Sequence, residues 1–525
     1  MNEKPNPRLT ANGFAISRRN FLGLIGSTAA AGMLGFPGQL IARRRGTLIV
    51  GAPADPSSLD PATGGAGTDH VFLYPIFDTL VEWDYATLAP RPGLAKAWHY
   101  PDPRTLVLTL QENVRFHDGT PFDAEAVKFN LERNLRDPRS NIRTELASVE
   151  SVAVTGPLEV TLKLKEPDTV LVLILSDRAG MMASPKALQE LGERHDRSPV
   201  GTGPMRFVDW SDGEKVVLTR NEHYWKPNRP LVDGIEFRII TDSATRLRSV
   251  ISGQADVAYH LDGRQIPLIE RSRQLQLVTG PTIYCYQLYL NMSRGPLQDV
   301  RVRQALNFAI DREAFVKATM AGAGEPAYMN LPRSHWAYDE EVAKLYPYDP
   351  DRARALLKEA GFSNGVELDM RGYSDQGSVQ RQEFLLEQFA QVGIRGRFRT
   401  GTIPEMSATY FGPEKGGDFL LSAFTGRPDP SQTYALMYLE DAYFNAGRVP
   451  PPPGFLEALL RSRSTTDIEE RRQALSVVQR IVMENALVVP LAFRNEVSAA
   501  SARVENMRSN LLGKPKFEDV SLQDT

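Results

Sequence analysis

Ser151-Val152-Ala153-Val154-Thr155-Gly156-Pro157-Leu158-Glu159-Val160-Thr161-Leu162-Lys163-Leu164-Lys165 is the stretch that decides the fold class. Leu158, Val160, Leu162 and Leu164 alternate with Glu159, Thr161, Lys163 and Lys165. Successive side chains of a strand point to opposite faces, so the four apolar residues share one half-buried face. Gly156-Pro157 interrupts the pattern, and Ser151 to Val154 reads as the hairpin partner.

Working outward, Met205 to Trp210 and Lys215 to Arg220, joined by Ser211-Asp212-Gly213, predict a second hairpin, so the sheet is expected to be built from antiparallel pieces. Thr47 to Ala52 reads as a short buried strand closed by Pro53. Helices interleave. Asp123 caps one whose Ala124, Val127, Leu131 and Leu135 fall on one side, and Asp349-Pro350 opens another that stops at Gly361. Asp299 and Asp311 read as successive caps, and Phe384, Leu385, Phe389 and Val392 mark a helix ended by Gly393. Strands and helices without strict alternation indicate an α/β or α+β protein of several lobes.

The 525 residues are 42% hydrophobic and 24% charged, the balance of an ordinary globular chain of two to four domains. Removing Met1 to Ala42 leaves 57 basic against 63 acidic residues, a net charge of −6. A mildly acidic protein has no electrostatic reason to bind nucleic acid or an anionic membrane. Cys285 is the single cysteine, so no intramolecular disulfide forms.

Ser17-Arg18-Arg19-Asn20-Phe21-Leu22-Gly23 precedes an apolar run to Phe36 diluted by Gly, Ser, Thr and Ala, a pairing similar to a twin-arginine export signal. The run is shorter than the roughly 20 residues a membrane-spanning helix needs. Residues 1–42 are therefore expected to be a cleaved signal peptide. No cysteine follows to carry a lipid anchor.

Motifs for catalysis fail on context. Gly361-Phe362-Ser363-Asn364-Gly365 has the G-x-S-x-G form of a serine nucleophile elbow, but that motif needs a strand before and a helix after, and here the order is reversed. Gly64-Gly65-Ala66-Gly67 and Gly201-Thr202-Gly203 complete no phosphate-cradling pattern and read as turns or close backbone approaches. No two of the seven histidines have helical metal-ligand spacing, and Cys285 has no basic neighbour in sequence to activate it. No catalytic residue, metal ligand or cofactor is assigned.

Four blocks carry a family resemblance: Leu59-Asp60-Pro61-Ala62 through Gly67-Thr68 to Trp83; Leu94-Ala95 through Trp98 to Val114-Arg115-Phe116-His117-Asp118-Gly119-Thr120-Pro121-Phe122; Gly201-Thr202-Gly203-Pro204 with Tyr224-Trp225; and Leu290-Asn291 with Asp299-Val300-Arg301-Val302-Arg303-Gln304-Ala305-Leu306. Together they resemble the extracellular solute-binding proteins of family 5, the peptide, oligopeptide and nickel class of ABC importers. The resemblance implies an α/β, two-lobed periplasmic-binding-protein type II fold with an extra inserted domain and a hinge crossed twice. Lobe one would combine 46–76, 203–281 and 490–525, the inserted domain would be 77–202, and lobe two 282–489. The partners it implies are a peptide-like or carboxylated small molecule, an ABC permease of the inner membrane and the twin-arginine machinery. The expected protein is a periplasmic monomer.

Site residues follow from the same resemblance. Gly67 and Thr68 fall in a family loop that lines the cleft. Met370-Arg371-Gly372-Tyr373-Ser374 resembles a segment whose arginine, in dipeptide binders, receives the ligand carboxylate. Phe424-Thr425-Gly426-Arg427-Pro428-Asp429-Pro430 resembles one that usually reads Trp-x-Gly-Asp, the aspartate pairing with the peptide ammonium. Arg427 stands in that place here. An ammonium beside a guanidinium is repulsive in a desolvated cleft unless Asp429 compensates, so an anionic or blocked ligand end is expected to face Arg427. The alternatives are an Arg427–Asp429 pair or an Arg427 pointing to solvent. The candidate contacts are therefore Gly67, Thr68, Arg371, Tyr373, Phe424, Arg427 and Asp429. An exported metal-binding protein or enzyme, and a sensor or chaperone on the same scaffold, are the alternative functions.

Overall fold

The computed structural model describes residues 46–412 and 414–523. The expected export signal lies outside the described residues. Among them, an eleven-stranded sheet forms the spine, in the order Ile394–Gly401, Val366–Tyr373, Phe419–Phe424, Leu275–Leu290, Val488–Ser501, Val257–Ala258, Thr47–Ala52, Gly234–Ile239, Lys215–Arg220 and Met205–Ser211, with Gly324–Pro326 added to Val488–Ser501. Both hairpins read from the alternation are present and antiparallel. The expectation of an antiparallel sheet is corrected, however, because Thr47–Ala52 pairs in parallel with Gly234–Ile239, and Val366–Tyr373 with Ile394–Gly401. The helix Gln376–Gln391 supplies the crossover that a parallel pair requires.

Leu275–Leu290 and Val488–Ser501 are long enough to run along both halves of the sheet as antiparallel partners. Their ladder is regular from Leu275↔Ser501 to Pro281↔Asn495, shifts register, and resumes at Cys285↔Phe493. A second, four-stranded sheet (Ala95–Asp102, Thr105–Leu110, Glu159–Leu164, Val149–Gly156) contains the stretch quoted first. Val160, Leu162 and Leu164 are buried there with Val127 and Leu131 of the helix Ala124–Arg136, as alternation on one element and the 3.6-residue period on the other require. Separate cores centre on Phe72, Phe237 and Phe517, on Phe315, Phe389 and Phe419, and on Tyr410, Tyr434 and Phe455.

Caps end where local chemistry directs. Asp123, Asp299, Asp311 and Asp349 each accept a backbone N–H from the first turn of the helix that follows. Gly361 has φ +92°, the left-handed conformation that closes the helix Pro350–Glu359, and the strand Val366–Tyr373 follows, so no nucleophile elbow exists there. At Gly201 a Cβ would collide with the Ile76 carbonyl, so that glycine serves a close backbone approach. No helix among the described residues is long and apolar enough to cross a membrane.

Candidate functional site

A cavity of about 620 Å³ opens between the loop Gly65–Thr68, the Glu145 turn and the Asp177–Arg178 turn on one side, and Tyr373, Ser422 to Thr425, Arg427 and Phe444 on the other. It falls within the size range of small-ligand sites. The loop is held from behind. Buried Asp69 accepts hydrogen bonds from Ser57 N–H (2.7 Å), Ser57 Oγ (2.7 Å) and the Arg178 guanidinium (2.9 Å), and Arg178 also donates to the Gly64 and Ala66 carbonyls (2.9 and 2.6 Å). Gly67 and Thr68 are thereby presented at the wall, and a Cβ at Gly67 would stand 3.2 Å from Thr425 Cγ2.

Charged groups line both ends. Asp177 is bound by His70 Nε2 (2.6 Å), Lys514 Nζ (2.8 Å) and the Arg178 backbone N–H (2.9 Å). Burial alone would raise its pKa, but His70 and Lys514 outweigh burial and hold it well below the carboxylate range. At the far end Arg494 donates to Glu496 (2.8 Å), meets His260 Nε2 (2.6 Å) and lies over the Tyr284 ring at 4.6 Å. Between them Phe411, Phe424, Tyr443 and Phe444 form an aromatic wall with ring centroids 5.2–5.4 Å apart for Phe411–Tyr443, Phe411–Phe444 and Phe424–Phe444. Tyr373 reaches the wall with its hydroxyl 2.8 Å from Ser422 Oγ.

Five of the seven residues named from sequence, Gly67, Thr68, Tyr373, Phe424 and Arg427, line this cavity. Arg371 is not in the lining; its guanidinium turns back to Asp369 at 3.0 Å. Asp429 is fully buried away from it, where it accepts from Ser431 N–H (2.9 Å) at the start of the helix Pro430–Tyr438 and from Arg471 NH2 (2.5 Å). Arg427 therefore pairs with neither Asp429 nor bulk solvent. Its Nε faces Glu145 Oε1 at 3.8 Å, its NH1 donates to the Gly426 carbonyl (2.9 Å), and it lies 5.5 Å from the Phe424 ring. Sequence reading missed Glu145, Asp177, Arg494 and Lys514, which reach the cavity from four distant segments and belong to no local motif.

His335 packs near the Asp429–Arg471 pair. Its Nδ1 accepts the Ala337 N–H (3.1 Å), which requires a neutral ring, and burial lowers its pKa from 6.5 to about 4. As pH falls below 6.5 the unfolded chain takes up this proton before the folded one, so the contribution of His335 is complete above 6.5 and lost towards pH 4. The loss amounts to about 3 kcal/mol at most. Denaturant titrations at pH 7, 6, 5 and 4 should show a shallower acid decline for His335→Gln than for the parent; equal slopes would show that this ring does not contribute.

Buried Cys285 has its thiol pushed up by burial. Among the described residues no group of three or more His, Cys, Asp or Glu side chains is arranged to hold a metal ion.

Residues 89–446 match the family model described as bacterial extracellular solute-binding proteins, family 5, middle. The glutathione-binding protein GsiB of Escherichia coli O1:K1 / APEC is 31% identical over 441 residues, covering 80% of this chain and 84% of its own. Among solved structures, the periplasmic binding protein DppA from Helicobacter pylori in complex with the peptide STSA superposes with a TM-score of 0.82 at 23% identity, over 91% of this chain and 98% of that one. AgaA from A. tumefaciens R10, in complex with agropinic acid, gives 0.81 at 23% identity, over 91% and 99%. The mixed α/β fold is thus that of the type II periplasmic binding proteins.

Proposed function

The chain belongs to the bacterial extracellular solute-binding proteins of family 5, the capturing components of ABC importers and not enzymes, and on that premise we propose that the 620 Å³ cavity receives a peptide-like or carboxylated small molecule through Gly67, Thr68, Tyr373, Phe424 and Arg427. The observation that carries this reading is Arg427. Among the described residues it is the one Arg or Lys of the lining that donates no hydrogen bond to a carboxylate, and a ligand carboxylate supplies the acceptor that Glu145, at 3.8 Å, does not. Glutathione, the ligand in GsiB's name, and agropinic acid, the ligand seen with AgaA, are both carboxylated. Calorimetric titration with glutathione, free and N-acylated dipeptides and an opine-type conjugate tests it. Binding of carboxylated members and not of their amides is expected; equal binding of the amides would refute it.

Two lobes closing about the register shift between Pro281 and Cys285 would trap the ligand, and a permease would read the closed shape. The proposed lobes are 46–76 with 203–281 and 490–525, and 282–489, the inserted domain being 77–202. The core around Tyr410, Tyr434 and Phe455, drawn wholly from residues between Tyr289 and Val488, supports lobe two as a unit. Closure has a clasp outside the cavity. Buried Asp168 pairs with Arg463 (2.7 Å), and the Thr169 N–H donates to the Arg463 carbonyl (2.8 Å). Arg463→Met removes the ion pair, and an unpaired Asp168 recovers hydration only when the clasp opens. The apparent Kd should rise about tenfold, since affinity scales with the closed-competent fraction. Unchanged affinity by calorimetry would show that the clasp does not govern closure.

Export through the twin-arginine route to the periplasm, with cleavage of residues 1–42 and no lipid anchor, completes the proposal. Replacing Arg18 and Arg19 together by lysine should leave uncleaved precursor in the cytoplasm; normal export would exclude that route. The mature protein is proposed to act as a monomer.

A further inference from the structure

We propose that Glu145 and Arg427 form a clamp for an α-amino-acid head group, so that the ligand class is one carrying an ammonium and a carboxylate on the same carbon, as at a γ-glutamyl end. This rests on the reading of the cavity as the ligand site and adds the identity of one end of the ligand.

The other ionised groups of the wall are already committed. Asp177 is bound by three donors, Lys514 by Asp177, Arg178 by two carbonyls and Asp69, and Arg494 by Glu496 and His260. The Glu145–Arg427 pair differs. Its 3.8 Å separation exceeds hydrogen-bond length, and among the described residues no hydrogen bond reaches the Glu145 carboxylate. Arg427 spends only NH1, on Gly426 O and Thr425 Oγ1. Yet both side chains are largely withdrawn from water, Glu145 at 13% and Arg427 at 21% exposure.

A carboxylate removed from water without a donor is costly, and burial accordingly raises the Glu145 pKa against the pull of Arg427. A ligand that supplies the missing donor to Glu145 and the missing acceptor to Arg427 relieves both groups at once. Two opposite charges one carbon apart are complementary to two side-chain charges that face each other at this distance. A simple peptide N-terminus satisfies Glu145 but places its ammonium against Arg427 with no carboxylate beside it. An acylated or purely anionic end satisfies Arg427 and leaves Glu145 without a donor. Only the zwitterionic carbon serves both.

The probes are γ-glutamylglycine, glutarylglycine, which lacks the ammonium, and 4-aminobutyrylglycine, which lacks the α-carboxylate. Titrated calorimetrically into the full-length mature protein, γ-glutamylglycine should bind about tenfold or more tightly than either analogue. Glu145→Gln should abolish its advantage over glutarylglycine. The analogue comparison in the parent protein stands even if that variant folds poorly. Equal affinity of the parent for glutarylglycine and γ-glutamylglycine, or a Glu145→Gln protein that still discriminates between them, overturns the clamp and leaves the carboxylate reading standing. Failure of all three probes alongside binding of an acylated or opine-type compound likewise overturns the clamp alone. Failure of every compound in both panels overturns the clamp and the reading together.

Discussion

Asp429→Ala is expected to destabilise the protein by about 3–5 kcal/mol, the cost of leaving a buried partner charge unpaired. Asp429 is fully buried and its carboxylate does two jobs. One oxygen caps the helix Pro430–Tyr438 through Ser431, and the other holds Arg471, a guanidinium only 10% exposed whose Nε is spent on the Ser462 carbonyl. Removal therefore costs a cap as well as the pair, the cap being worth about 1 kcal/mol. Asp429→Asn, which keeps a cap acceptor but not the charge, should fall between the two. Denaturant unfolding measures both variants. Calorimetry on the folded fraction should find ligand affinity within about threefold of the parent, because Asp429 is outside the cavity lining. Full stability with lost binding would return Asp429 to the ligand.

The second large effect concerns affinity and not folding. Arg427→Met keeps the length of the side chain and its packing beside Phe424 but removes the proposed carboxylate donor. Hydrogen bonds to charged groups contribute about 1.5–3 kcal/mol, so the Kd for a carboxylated ligand should rise roughly tenfold to more than a hundredfold. Melting should shift little, because Arg427 lines the cavity and stands 3.8 Å from Glu145, beyond hydrogen-bond length. A melting point that collapses with Arg427→Met would identify the residue as structural, and an unchanged Kd would remove it from the site.

These two arginine–carboxylate pairs show where sequence reading reaches and where it stops. Caps at Asp123, Asp299, Asp311 and Asp349 were legible because a cap is settled within four residues. The hairpin around Gly156-Pro157 was legible because alternation and the turn are equally local. Parallel pairing of Thr47–Ala52 with Gly234–Ile239 joins segments with a whole subdomain between them, and no local pattern announces it. Site chemistry divides in the same way. The Phe424 to Asp429 segment was recognisable, but the partner of each charge was not. Proximity in sequence suggested Asp429 for Arg427, whereas the fold gives Arg427 to Glu145 and Asp429 to Arg471. Lys514, His70 and Asp177 meet only because the C-terminal segment returns across the first half of the chain.

The central claim is that the ligand lies in this cavity with a carboxylate on Arg427. A crystal structure of the protein with the tightest-binding panel member tests it most directly. Ligand density is expected between the Gly65–Thr68 loop and Phe424, with carboxylate oxygens at hydrogen-bond distance from the Arg427 guanidinium. Density elsewhere on the molecule, or a ligand in the cavity whose carboxylates all avoid Arg427, would contradict it.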